Sequence, residues 1–172
     1  MTLDELLHNK TIKPKEKTET ISKWILDKSL PIDELIAFAE KQKDSAKATS
    51  IEAIEFATKQ NPNIADETIL NFVTKTLTEK APRIKWESAR VIGNIAHLYP
   101  TKLEKSISNL LDNTKHEGTV VRWSAAYALA EILKLKTKNH EHLLSTVKTI
   151  CEQEEKNSIK KIYLTAIKKT QK

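Results

Sequence analysis

The chain has 172 residues, of which 39% are apolar and 30% charged, with a formal net charge of +6 and a mean hydropathy of −0.48. That suits one compact domain or one short stack with a real core, and no run of eighteen apolar residues is present to span a bilayer. The lone cysteine, Cys151, rules out an internal disulfide and a cysteine-based metal site, and the opening "MTLDELLHNK" is unlike a signal or transit peptide, so the expected compartment is the cytoplasm.

Glycine is nearly absent, standing only at Gly93 and Gly118. Sheets joined by hairpins need many residues at positive φ, so this scarcity points to an all-α chain. Pro31, Pro82 and Pro100 stand just before amphipathic runs, where a missing N–H costs nothing. Pro14 and Pro62 also fall between apolar runs.

The 3.6-residue period then gives helices in order. A weak start near Leu3 to Leu7 is followed by a helix from about Lys15 to Ser29, with Ile21, Trp24 and Ile25 on one face. Further helices are expected over Ile32 to Gln42, Ser45 to Lys59, Ala65 to Glu79 and Pro82 to Leu98. Thr101 to Asn113, Thr119 to Lys136, His140 to Glu154 and Ser158 to Thr170 complete the series.

Two of these helices carry the same text. "RIKWESARVIGNI" begins at Arg83 and "VVRWSAAYALAEI" at Val120, so Trp86 and Trp123 lie 37 residues apart. At that offset Ile84 matches Val121, Lys85 matches Arg122, Ala89 matches Ala126, Ile92 matches Leu129 and Ile95 matches Ile132. Self-similarity at this period, two helices to a unit, marks an α-solenoid whose units bury their apolar faces only on one another.

The stretch "VRWSAAYALAEI" resembles the second helix of a HEAT repeat, including the hybrid kind seen in phycobilin-lyase-type repeats. Val121, Arg122, Ala125, Ala126, Ala128, Leu129 and Ile132 carry the pattern, and Ile84, Lys85, Ala89, Ile92, Gly93 and Ile95 repeat it. The resemblance is strong over residues 81 to 136 and weak elsewhere. It implies a right-handed α-α superhelix, a curved scaffold for macromolecules that leaves the partner unnamed. The expected organisation is a single domain over 1–172, with an N-terminal capping helix in 1–30 and helical pairs in 31–60, 61–99, 100–137 and 138–172.

On a helical wheel Val121, Ala125, Ala128, Leu129 and Ile132 share one arc, the core face. Ala126, Ala130, Ala89 and Gly93 flank it and let helices approach closely. Gly93 costs roughly 1 kcal/mol relative to Ala in a helix interior, which implies a contact that a methyl would spoil. A second stripe holds Trp123, Tyr127, Ala130 and Lys134, matched by Trp86, Arg90, Gly93 and His97. Either this stripe faces the concave side and binds a partner, or its tryptophans fill space between units. A third stripe, of Glu87 with Asn94 and of Ser124 with Glu131, is expected to be fully wet.

Lys85 and Arg122 open their helices, and in HEAT repeats the matching basic residue often pairs with an acid of a neighbouring turn. The sequence leaves that acid unassigned between Asp112 and Glu79, and a ligand-binding role for the pair stays open. Positive charge gathers at the C-terminal end, where residues 118–172 hold eleven basic and five acidic residues. The last helix carries Lys160, Lys161, Lys168, Lys169 and Lys172 beside an apolar face of Ile159, Ile162, Tyr163, Ala166 and Ile167. These lysines either track phosphates of nucleic acid or form the solvated cap of the stack.

No motif for nucleophilic catalysis, phosphate cradling or acid–base work is found. His140 and His142, two residues apart, fall on different sides of a helix and are read as polar residues at its start; no metal site and no cofactor is expected. The reading is a non-enzymatic scaffold or adaptor that binds another protein through its concave face. Its candidate contacts are Lys85, Trp86, Arg90, Arg122, Trp123 and Tyr127, and no membrane or small-molecule substrate is implicated. The alternative is a basic nucleic-acid-binding solenoid of the class of the HEAT-like alkylpurine DNA glycosylases. A third is an accessory subunit of a larger assembly.

Overall fold

A computed structural model describes residues 1–171, and Lys172 lies outside them. Among the described residues there are ten α-helices, two short 3-10 segments and no strand. The first hairpin is α1 (Leu3–His8) and α2 (Pro14–Leu26), the second α3 (Ile32–Glu40) and α4 (Asp44–Gln60). Then come α5 (Glu67–Thr76) with α6 (Pro82–Ile95), α7 (Glu104–Asn113) with α8 (Thr119–Leu133), and α9 (His140–Gln153) with α10 (Asn157–Thr170).

Local chemistry sets the boundaries. Thr2 and Glu5 form a capping box at the start of α1, and the Asp66 carboxylate accepts from the Ile69 N–H at 3.0 Å to open α5 two residues later than periodicity places it. Pro14 and Pro82 sit in the first turn of α2 and α6, where no N–H is needed. The expected N-terminal cap thus gains a short leading helix, through which Leu6 and Leu7 join the core.

The hairpins stack in two layers. The even-numbered helices lie side by side in chain order, each packed directly on the next. The odd-numbered helices form the second layer and are spaced more loosely. Between α7 and α9 they leave a cleft of about 540 Å³ lined by Leu103, Ile107, Leu111, Leu135 and Leu143. Small residues explain the tight layer, because Ala89 on α6 and Ala125, Ala126 and Ala128 on α8 are all buried and hold the helix axes close. The apolar core runs without a break from Leu6 to Ala166.

Polar bridges tie the seams. In the second layer the Asn109 Nδ2 donates to the Thr74 carbonyl at 2.9 Å, and the Thr74 and Ser106 hydroxyls bond at 2.7 Å. Across the layers the Thr76 and Ser88 hydroxyls meet at 2.6 Å. Every such group is buried, so each bond removes the desolvation penalty of two polar atoms at once.

Candidate functional site

The free face of the even-helix layer gathers the aromatic stripe. Trp123 on α8 keeps 36% of its surface exposed although its position is fixed from two sides. Its ring stacks on Tyr127, one turn later, at a centroid distance of 6.1 Å and an interplanar angle of 12°. The Arg90 guanidinium, from α6, lies 5.4 Å from the indole centroid in cation–π geometry. Arg90 and Trp123 therefore join the two repeated stretches edge to edge.

Each of these holders is itself held. The Arg90 Nε donates to the Ser124 hydroxyl at 3.3 Å, and its Nη1 stands 3.6 Å from a Glu87 oxygen. The Tyr127 hydroxyl donates to Asn94 Oδ1 at 2.6 Å, and Asn94 Nδ2 donates to the Glu55 carbonyl and the Thr58 hydroxyl, each at 3.1 Å. Asn94 is thus a buried node linking α4, α6 and α8. Burial, reinforced by the charges of Glu131 and Glu55, pushes the Tyr127 phenol up to about 12, so it remains a donor.

Carboxylates line the seam between α4 and α6. Glu87 is 1% exposed; its Oε1 accepts from the Trp86 indole N–H at 2.7 Å, whereas its Oε2 is buried without a donor. Burial above all, then the Glu52 charge, pushes Glu87 up to about 7, with Arg90 pulling the other way. Burial also raises Glu55, against the pull of Arg90. Glu52 accepts from the Arg83 guanidinium at 3.3 Å and from the Thr18 hydroxyl at 2.7 Å.

The expectation that Glu87, Asn94 and Ser124 would be fully wet is overturned, since all three are buried, and Glu131 is half-buried. The physical reason is lateral packing. A helix inside a layer meets its own hairpin partner below and another helix on each flank, so only a narrow strip remains for solvent. For the same reason Glu87, which the wheel places away from the Trp stripe, reaches the Trp86 indole N–H.

Lys85 and Arg122 point to the hairpin ends instead of this face. The Lys85 Nζ donates to the Leu77 carbonyl at 3.2 Å and to Asn113 Oδ1 at 3.3 Å, which are neutral partners. Arg122 pairs with Glu154, Nε to Oε2 at 3.1 Å, and also donates to the His116 and Glu117 carbonyls. Glu79, one of the two acids considered for this role, pairs with Lys47 instead. Sequence reasoning missed Glu154 and the Glu52, Glu55 and Glu87 group. A shared offset of 32 residues, Lys47 to Glu79 and Arg122 to Glu154, was the signal available for the first.

On α10, Lys161, Lys168 and Lys169 are exposed and Lys160 is half-buried, while Ile159, Tyr163 and Ala166 face the core. His140 and His142 stand in the first turn of α9. Among the described residues no group of three or more His, Cys, Asp or Glu side chains is placed to hold a metal ion. No helix among them is long and apolar enough to cross a membrane.

Comparison with known proteins defines the class. The fold is a right-handed superhelix of stacked helical hairpins, of armadillo-like type. A designed armadillo repeat protein in complex with the peptide (KR)4 superposes with a TM-score of 0.77 at 15% identity, over 98% of this chain and 80% of that one. A second designed armadillo repeat protein gives 0.70 at 14% identity, over 98% and 80% of the two chains. An engineered protein gives 0.67 at 14% identity, over 99% of this chain and 47% of that one. No family model and no curated protein matches the chain. At these identities the likeness is one of fold.

Proposed function

We propose that the chain is a non-enzymatic scaffold of HEAT type that binds a segment of another protein along the free face of its even-numbered helices. Two helices to each hairpin support the HEAT assignment, and the unbroken core supports a single domain over 1–172. The even layer is packed more closely than the odd one, and a stack bends toward its tighter layer, which supports taking this face as the concave one.

The observation that carries the reading is Trp123, exposed yet immobilised between Arg90 and Tyr127. A large aromatic ring whose ordering cost has already been met in the free protein is the usual anchor of a protein contact. One designed armadillo repeat protein supplies a precedent for peptide binding on this fold, with (KR)4 as the bound peptide. Of the carboxylates in the adjoining seam, Glu52 is part-exposed and shared with Arg83, whereas Glu55 and Glu87 are buried. Nothing in the comparisons supports the nucleic-acid alternative.

The test is a fluorescence and calorimetric titration of the full chain with (KR)4, with an acidic peptide of equal length and with duplex DNA. The reading expects saturable binding of (KR)4 that Trp123→Ala removes while the thermal midpoint stays within a few degrees. Loss of several kcal/mol of stability in Trp123→Ala would make the indole core filler and end the reading. Tight DNA binding that weakens steeply with salt would replace it with the nucleic-acid alternative.

A further inference from the structure

Each even-numbered helix has a basic side chain as its fourth residue, namely Lys17 on α2, Lys47 on α4, Lys85 on α6, Arg122 on α8 and Lys160 on α10. The first four can reach toward the loop that leads into the next even helix, and the place that answers them is three residues before that helix begins. Glu79 holds that place for Lys47 and Glu154 holds it for Arg122, and both form ion pairs. His116 holds it for Lys85, which bonds to Asn113 and the Leu77 carbonyl. At the first rung the sign is reversed, because the residue in that place is Lys41.

A cleft of about 560 Å³ opens at this rung, between the first and second hairpins. Lys17, Lys41, Lys43, Arg83 and His8 line it, and its wall contains no carboxylate. Arg83 shares its charge with Glu52, and His8 stands 3.2 Å from Asp4. Lys17, Lys41 and Lys43 enter none of the ion pairs among the described residues. Two cations are already positioned, Lys17 by donating to the Leu7 carbonyl at 2.7 Å and Arg83 by donating to the Thr49 hydroxyl at 3.3 Å. Like charges facing one cleft repel, and an anion taking the acid's place relieves that repulsion.

We propose that this cleft binds a phosphate monoester. Three ammonium groups and a guanidinium exceed what one carboxylate neutralises, and a dianion with three terminal oxygens accepts from all of them. A small phosphorylated molecule and a phosphorylated side chain of a protein present the same group. The proposal is independent of the role given to Trp123.

The full chain is titrated by calorimetry at low ionic strength with inorganic phosphate, with a phosphoserine peptide and with its unphosphorylated form. The expected result is saturable binding of both phosphorylated probes and none of the unphosphorylated peptide. Lys41→Glu rebuilds the pair that Lys47 makes with Glu79 and Arg122 with Glu154, so it raises the thermal midpoint and weakens phosphate binding at least about tenfold. Lys161→Glu on α10 changes net charge by the same amount and leaves the affinity unchanged. A peptide held about tenfold more tightly than inorganic phosphate assigns the group to a protein, and equal affinity assigns it to a small molecule. Absence of saturable phosphate binding overturns the proposal, as does equal weakening by Lys41→Glu and Lys161→Glu.

Discussion

The ring of Tyr127 occupies the space that a side chain on Gly93 would need. A Cβ built on Gly93 falls 2.7 Å from Tyr127 Cδ2 and closer still to Cε2. The ring has little freedom to retreat, because its hydroxyl is bound to Asn94 and its face is stacked on Trp123. Gly93→Ala gains roughly 1 kcal/mol of helix propensity and loses about 1–3 kcal/mol to overpacking, so the variant is expected to be less stable. Chemical denaturation checks the sign, and in a Tyr127→Leu background the same substitution should become neutral or stabilising.

Glu87 makes stability depend on pH. Its folded-state value of about 7 stands above the ordinary 4.5, so the folded chain keeps a proton that the unfolded chain releases. Its contribution is fully present below 4.5 and is lost as pH rises to about 7, a change on the order of 3 kcal/mol. Glu55 shifts in the same direction and adds to the slope. Urea denaturation between pH 4.5 and 8 should show stability falling, and Glu87→Gln should flatten the curve and exceed the parent chain at pH 8. A parent curve that rises with pH as steeply as that of the variant would contradict the burial of this carboxylate.

Legibility in the sequence follows the same physics. The hairpins could be read because Trp86 and Trp123 recur with the same aliphatic and small neighbours, and because Pro14 and Pro82 mark helix starts. Gly93 could be read as a close contact, since a glycine costs too much in a helix interior to stand there idle. The wet stripe could not be read correctly. A helical wheel ranks positions around one helix, whereas burial of Glu87, Asn94 and Ser124 is decided by the neighbours α4, α6 and α8 present to each other. The partner of Arg122 stayed hidden because it lies beyond α9, in the following hairpin.

Asn94 should matter more than the hydroxyl it accepts from. Tyr127→Phe removes one donor and leaves Asn94 with its bonds to Glu55 and Thr58, at a cost of about 1 kcal/mol. Asn94→Ala strips the Tyr127 hydroxyl, the Glu55 carbonyl and the Thr58 hydroxyl of a partner together, and opens a void at the meeting of three helices. A loss of roughly 2–4 kcal/mol is expected in equilibrium denaturation, with a shift in Trp emission because Trp123 rests on Tyr127.

Arg122 and Glu154 form the most enclosed ion pair of the basic ladder whose geometry is bidentate, with Nε at 3.1 Å and Nη2 at 3.3 Å from the two carboxylate oxygens. Burial pushes Glu154 up, but hydrogen bonds from Arg122 and from the Lys156 N–H outweigh it and hold the carboxyl below its ordinary range. With the folded value depressed, this pair stabilises the chain above the unfolded value and loses that contribution as pH falls through the folded one. Glu154→Gln leaves the guanidinium desolvated without its counter-charge and should cost roughly 3 kcal/mol at pH 7. The difference from the parent chain should shrink below pH 4, where the parent carboxylate is itself protonated. A difference that stays constant from pH 7 to pH 3 would assign the effect to packing and remove the ion pair from the account of how α8 is joined to the last hairpin.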